Sequence, residues 1–105
     1  MKVCKILTPD EWNDIQGQVH FQGTTLDQAD GFIHLSTPEQ VADTLQRFYA
    51  DTPAVIVLTI DSDLLGDGLK LEEAHGQRFP HFYGALPLSA VIRAEERQRG
   101  TGWQP

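Results

Sequence analysis

Apolar and charged side chains alternate from Val3 to Leu7, which predicts a strand. Thr8-Pro9-Asp10-Glu11 follows, with a hydroxyl at the N-cap, proline at the first helical position and glutamate at the third. This is a capping box, in which the two side chains satisfy backbone N–H groups that helix geometry leaves free. The helix it opens turns Trp12 and Ile15 inward and ends by Gly17. Residues 18–30 carry few apolar anchors, Phe21 and Leu26, and read as a loop or a short helical turn. Phe32, Ile33 and Leu35 then predict a short buried strand over 32–35, which runs straight into a second capped helix with Thr37 at the N-cap, Pro38 at the first position and Gln40 at the third. Along that helix Val41, Leu45 and Phe48 recur at helical spacing and form one inward face.

Asp51-Thr52-Pro53 ends the helix, and Ala54 to Ile60, the most apolar run and rich in β-branched residues, predicts a central strand buried on both faces. Asp61-Ser62-Asp63 and Gly66-Asp67-Gly68 are turn chemistry. Leu69 to Glu72 alternates as a strand, Phe79 to Gly84 is extended, and Ala90 to Ala94 forms the last strand. Two helices in the first half and several strands after them favour an α+β fold with a mixed β-sheet core over a βα-alternating parallel one. One small domain is expected over residues 1–99. Residues 100–105 read as a loose C-terminal tail, with Trp103 its one anchor able to dock.

The 105 residues suffice for a single core. A formal net charge of −7 argues against sequence-independent nucleic-acid binding and against an anionic membrane surface. The single cysteine, Cys4, excludes an intramolecular disulfide and a cysteine zinc cluster, and reads as a small buried apolar residue. The N-terminus lacks the apolar stretch of a signal peptide and no run is long enough to span a bilayer, so the cytoplasm is the expected location.

The residues able to carry chemistry gather in two segments. In Asp30-Gly31-Phe32-Ile33-His34-Leu35-Ser36-Thr37 an imidazole stands among apolar residues, followed by two hydroxyls at a helix start. A buried imidazole left without partners costs roughly 1–3 kcal/mol, so His34 needs a hydrogen bond or a ligand. In Phe79-Pro80-His81-Phe82-Tyr83-Gly84, His81 and Tyr83 share a face if the segment is extended, and Glu72 lies one step off the face of Leu69 and Leu71. The result is a polar pocket of His34, Ser36, Thr37, Glu72, His81 and Tyr83, with Arg78 nearby to meet a phosphate or carboxylate. A small polar or nucleotide-like ligand is its expected partner. The plainer alternatives are a core histidine at His34, a solvated strand end at Glu72 and a surface aromatic pair at His81 and Tyr83. No Gly-x-Ser-x-Gly elbow surrounds Ser36. His75 and His81 are not spaced as a helical pair and no HExxH is present, so no metal is expected.

Three blocks carry a resemblance: Lys5-Ile6-Leu7 with Trp12; Asp30 to Thr37 with Gln40; and Glu72 followed by Phe79 to Gly84. In these the chain resembles the small bacterial and plant proteins of domain-of-unknown-function family 952, over nearly its whole length. That family's fold looks like that of the ADP-ribosyltransferases, a split β-sheet core that clasps NAD. In that superfamily a strand histidine holds a ribose hydroxyl, an aromatic residue stacks on nicotinamide, and a later glutamate orients the ribose or the acceptor. The resemblance implies NAD as cofactor or substrate, His34 as the ribose-holding histidine with Ser36 and Thr37 beside it, Tyr83 as the aromatic and Glu72 as the catalytic acid, to which the pocket reading adds His81 as a second catalytic candidate. Here the glutamate precedes the tyrosine, which departs from the superfamily's order. The expected function is an NAD- or nucleotide-using transferase or hydrolase. The alternatives are a non-catalytic ligand-binding module in the same cleft or a protein-interaction domain presenting the His81-Phe82-Tyr83 aromatics.

Overall fold

The β-branched run Ala54–Asp61 forms β4, the middle strand of a three-stranded sheet in the computed structural model, which describes residues 1–103. β1 (Lys2–Leu7) pairs antiparallel on one side of it and β8 (Val91–Gln98) on the other. Both faces of β4 are covered, as its unbroken apolar pattern requires. On one face Ile56, Leu58 and Ile60 pack with Val3 and Leu7; on the other Val55 and Val57 pack with Cys4, Ile6, Val41 and Leu45. Each such side chain contributes about 1.5–3 kcal/mol on burial.

α1 (Pro9–Ile15) begins with the expected capping box: the Glu11 N–H donates to Thr8 Oγ1 at 3.2 Å and the Thr8 N–H to Glu11 Oε1 at 2.8 Å. Trp12 and Ile15 lean on the first core face. The stretch 18–30 is more ordered than its sparse apolar content suggests. It holds the short strand β2 (His20–Phe21) and a helix, α2 (Thr25–Asp30), opened by a second capping box between Thr24 and Asp27. β3 is shorter than expected and covers only Ile33–His34. Pro38–Gln40 forms a single 3-10 turn before α3 (Val41–Phe48). Val41 and Leu45 point inward there, but Phe48 is 57% exposed, which corrects the expected inward face of three. The chain turns at Tyr49, and the helix ends before a third buried position is reached.

β5 (Leu69–Ala74) and β6 (Gln77–Phe82) form a hairpin, and β3 adds to β6 to make a second three-stranded sheet. β7 (Leu86–Pro87) pairs with β2 in a third, two-stranded sheet. Every named pair among the described residues is antiparallel. The molecule is thus a small α+β domain with three antiparallel sheets in place of one mixed sheet. The two larger sheets touch at one backbone bridge, where the Cys4 N–H donates to Ser36 O at 2.7 Å and the Ser36 N–H to Cys4 O at 2.9 Å. Residues of both sheets line one cleft. β8 runs on to Gln98, four residues past the expected end of the last strand. In the stretch expected to be a tail, Trp103 is docked: its indole N–H donates to Tyr49 O at 2.7 Å and its ring packs on the second core face. Residues 104 and 105 of that stretch lie outside the described residues. No described helix is long and apolar enough to cross a membrane.

Candidate functional site

The sheet β3-β6-β5 decides which side chains share the cleft. Its register sets His34 opposite His81, His81 opposite Lys70, and Phe79 opposite Glu72. Side chains alternate along each strand, so these five stand on one face. Ile33, Phe82 and Leu69 occupy the other face and pack into the core. A one-residue slip in β3 would exchange His34 for Ile33, so the apolar residues fix the position of the polar ones.

His34 is held by a residue the sequence alone did not single out. Asp27 closes the α2 capping box, accepting from the Thr24 N–H at 2.9 Å. Its other oxygen accepts from the His34 backbone N–H at 3.1 Å and lies 2.5 Å from His34 Nδ1. Both oxygens also meet Lys5, at 3.0 and 2.8 Å from Nζ. The Asp27 side chain is only 2% exposed. Burial pushes its carboxyl up, but the His34 hydrogen bond and the Lys5 charge together outweigh it, and the carboxyl is held well below the usual carboxylate range. Gly23 makes room for this group, because a Cβ there would stand 2.8 Å from Asp27 Cβ. Lys5 spends its third donor on His34 O at 3.0 Å. Lys5, Asp27 and His34 therefore lock β1, α2 and β3 together, and Asp27 fixes the imidazole by its ring and its backbone at once.

The outer ring nitrogen, Nε2, lies 2.9 Å from Asp30 Oδ2 on the last turn of α2. Both contacts are hydrogen bonds at once only when both nitrogens carry hydrogens. Beside His34, the ring of Phe32 stacks on His81 with centroids 4.1 Å apart and tilts against His34 at 4.6 Å and Tyr83 at 5.4 Å. Phe32 was expected in the core. It instead turns half-exposed into the cleft, because Ile33 takes the inward position of the strand.

His81 Nδ1 lies 2.8 Å from Glu72 Oε1, and the Tyr83 hydroxyl donates to the same oxygen at 2.6 Å. The Tyr83 bond first, then the His81 bond, holds the Glu72 carboxyl below its ordinary value, and the same bond raises the Tyr83 phenol. Glu72, His81 and Tyr83 are thus one hydrogen-bonded group, joined to His34 through Phe32.

A cavity of about 610 Å³ opens in front of these residues, within the usual range for small-ligand sites. Its polar lining includes Asp30, His34, His81, Ser36 and Thr44; its apolar lining includes Leu26, Ile6, Phe48, Tyr49 and Phe79. Burial, with the charges of Glu11 and Asp27, pushes the Tyr49 phenol up to about 12, so it stays a neutral wall. Ser36 Oγ is buried against Thr44 Oγ1 at 3.2 Å. Of the expected site residues, His34, Ser36 and His81 line the cavity, while Glu72 and Tyr83 stand behind His81. Thr37 and Arg78 are not in the lining. The Thr37 N–H donates to Gln40 Oε1 at 3.0 Å, and Arg78 is exposed, its carbonyl accepting from Gln40 Nε2 at 2.7 Å. Among the described residues no group of three or more His, Cys, Asp or Glu gathers as a metal site.

Asp27 escaped sequence reading because its segment looked like a loop. The available signal was Thr24-x-x-Asp27, a capping box with aspartate in the place usually held by glutamate or glutamine.

Comparison with known proteins bears on the whole of this arrangement. Among curated proteins no match to the chain is found. The crystal structure of protein CC0527 from Caulobacter crescentus superposes with a TM-score of 0.84 at 37% identity, covering 91% of this chain and 85% of that one. The solution NMR structure of the same protein gives 0.78 at 38% identity, covering 90% and 82%. The family model described as "Protein of unknown function (DUF952)" matches residues 6–94, a span that takes in the end of β1, the His34 segment and the Glu72–Tyr83 hairpin. The chain belongs to that family.

Proposed function

We propose that the cleft is a nucleoside-handling site, and that the protein is a transferase or hydrolase acting on a ligand of the class to which NAD belongs. The observation that carries this reading is the Asp27-fixed His34 ring, set beside the stacked Phe32–His81 pair in the cavity lining. An imidazole oriented by a buried carboxylate and facing a cavity is suited to hold a hydroxyl, and positioning of that kind contributes much to rates. A ribose fits this role, with its hydroxyls at His34 Nε2 in place of Asp30. The flat rings of Phe32 and Tyr83 suit an attached heterocycle. Cleavage of a ring–ribose bond develops positive charge on the sugar. Glu72, kept ionised by Tyr83 and His81, supplies a carboxylate to stabilise that charge. The resemblance to the ADP-ribosyltransferase-like fold supports the same assignment.

A second reading, a non-catalytic binding module in the same cleft, is favoured by one feature. Glu72 stands behind His81 and is not in the cavity lining.

The test is calorimetry and thermal shift with nicotinamide riboside, NAD, ADP-ribose and nicotinamide, on the protein and on His34→Gln. A ligand at a hundredfold excess over its dissociation constant stabilises the fold by about 2.7 kcal/mol. Saturable binding of a ribose-bearing ligand, lost in His34→Gln, is expected, with product formation lost in Glu72→Gln. Binding without turnover selects the module. No binding by any of them refutes both readings.

A further inference from the structure

The charges around the cavity narrow the class of ligand. Among the described residues Lys5 is the only lysine or arginine in its lining, and it is unavailable. An ammonium has three donors. All three of Lys5's are committed, to Asp27 Oδ1, Asp27 Oδ2 and His34 O, at 3.0, 2.8 and 3.0 Å, and the side chain is 6% exposed. Lys70 lies 5.7 Å over the Tyr83 ring and in the field of Glu72, outside the lining. Arg78 is outside it as well. No basic side chain is therefore left to meet a phosphate inside the cleft. Carboxylates, by contrast, stand on both sides of the aromatic group. Asp30 reaches His34 Nε2 from α2, and Glu72 reaches His81 and Tyr83 from β5. The Asp30 side chain is 43% exposed, so an incoming group can compete with His34 for it.

Between these two carboxylates lie Phe32, His81 and Tyr83, with ring centroids 4.1 and 5.4 Å from Phe32. Aromatic faces and carboxylates together attract a cation, through the ring quadrupole and directly. The same field repels a polyanion, and like-charge juxtaposition across an interface is a strong device for rejecting a partner. The apolar part of the lining, which includes Leu26, Phe48 and Phe79, is equally unsuited to a phosphate.

We infer that the ligand is a phosphate-free nucleoside or similar hydroxylated molecule carrying a cationic ring, and that the diphosphate of a dinucleotide is not held. This rests on the nucleoside reading above and narrows it. The cationic ring sits against Phe32 beside Asp30, and the hydroxyls face His34. Loss of the ring as a leaving group would transfer the sugar to the oxygen of water or another hydroxyl, the bonding electron pair leaving with the ring and neutralising it and the acceptor's proton passing to solvent. No oxidant or reductant is needed.

The experiment is isothermal calorimetry of the full chain with nicotinamide riboside, NAD, ADP-ribose and uncharged inosine, each at low and high salt, repeated on Asp30→Asn. The riboside is expected to bind at least about tenfold more tightly than NAD or ADP-ribose, a factor equal to about 1.4 kcal/mol. Its affinity should fall with salt and that of NAD should rise, because salt screens attraction and repulsion alike. Asp30→Asn, at an exposed position, should shrink the preference, with an unchanged melting temperature showing that the fold is intact. NAD or ADP-ribose binding as tightly as the riboside, or weakening with salt, overturns this inference and leaves the nucleoside reading standing. Binding of none of the four overturns that reading, and this inference with it.

Discussion

Asp27→Asn changes little in volume and much in energy. The carboxylate accepts from Thr24, from the His34 backbone and ring, and from Lys5. The amide keeps one acceptor oxygen, turns a donor towards groups that themselves donate, and leaves the Lys5 ammonium buried without a counter-charge. Burial already works against that ammonium, and Asp27 is the first influence that opposes it. Removing one partner of a buried pair costs about 3–5 kcal/mol. Against a total stability of about 5–15 kcal/mol, that is a large fraction. At roughly 4–8 °C per kcal/mol for a domain of this size, the melting temperature should fall by roughly 12–40 °C. Urea titration is the assay, with the midpoint moving and the slope unchanged. The double variant Lys5→Met/Asp27→Leu should recover more than half of the loss, since a buried pair replaced by apolar groups is often neutral or better. A loss below about 1 kcal/mol in Asp27→Asn would refute the reasoning, and would mean that water reaches Lys5 and the lock is not buried.

Asp27 has a depressed folded-state pKa, so its contribution is fully present above its unfolded value, about pH 4, and is lost as pH falls towards the folded value. The stability gap between the protein and Asp27→Asn should narrow by about 1.4 kcal/mol per pH unit below that point, and urea midpoints that keep a constant gap from pH 7 to pH 3 would contradict this. Gly68→Ala should destabilise by about 1–3 kcal/mol, because its Cβ would stand 2.6 Å from Tyr83 O and 2.9 Å from the Phe82 ring; an unchanged melting curve would show that the β5–β6 hairpin yields easily. Glu72→Gln should return the Tyr83 phenol towards its ordinary value, since Glu72 is the first cause of its rise. Ultraviolet titration of the tyrosines reads this directly, and an unmoved curve would break the Glu72–Tyr83 link.

Local chemistry was legible where one segment contained the whole argument. Thr8 and Glu11 announced their helix, and the apolar run of β4 announced a strand covered twice. Placement failed where the deciding partner lay elsewhere in the chain. Phe32 and Phe48 are apolar, and nothing local says that the core already has its share in Ile33 and Leu45. Lys5 sits in an alternating strand that looks half-solvated, and only the packing of α2 makes it a buried cation. The convergence of His34 with Glu72, His81 and Tyr83 depends on the β3–β6 register, which pairs residues 47 apart. Thr37 shows the converse: a well-read helical start whose backbone N–H is satisfied locally and which is not in the cavity lining.

The central claim is that a ligand sits in the cavity lined by His34 and His81. Long-range 1H–15N spectra of the imidazoles follow all four histidines in one experiment. His20, on β2 and outside the cavity lining, serves as an internal reference. On titration with nicotinamide riboside the ring resonances of His34 and His81 should move together and saturate, with His20 still. Movement of His20 alone, or of none of the four, would contradict the account.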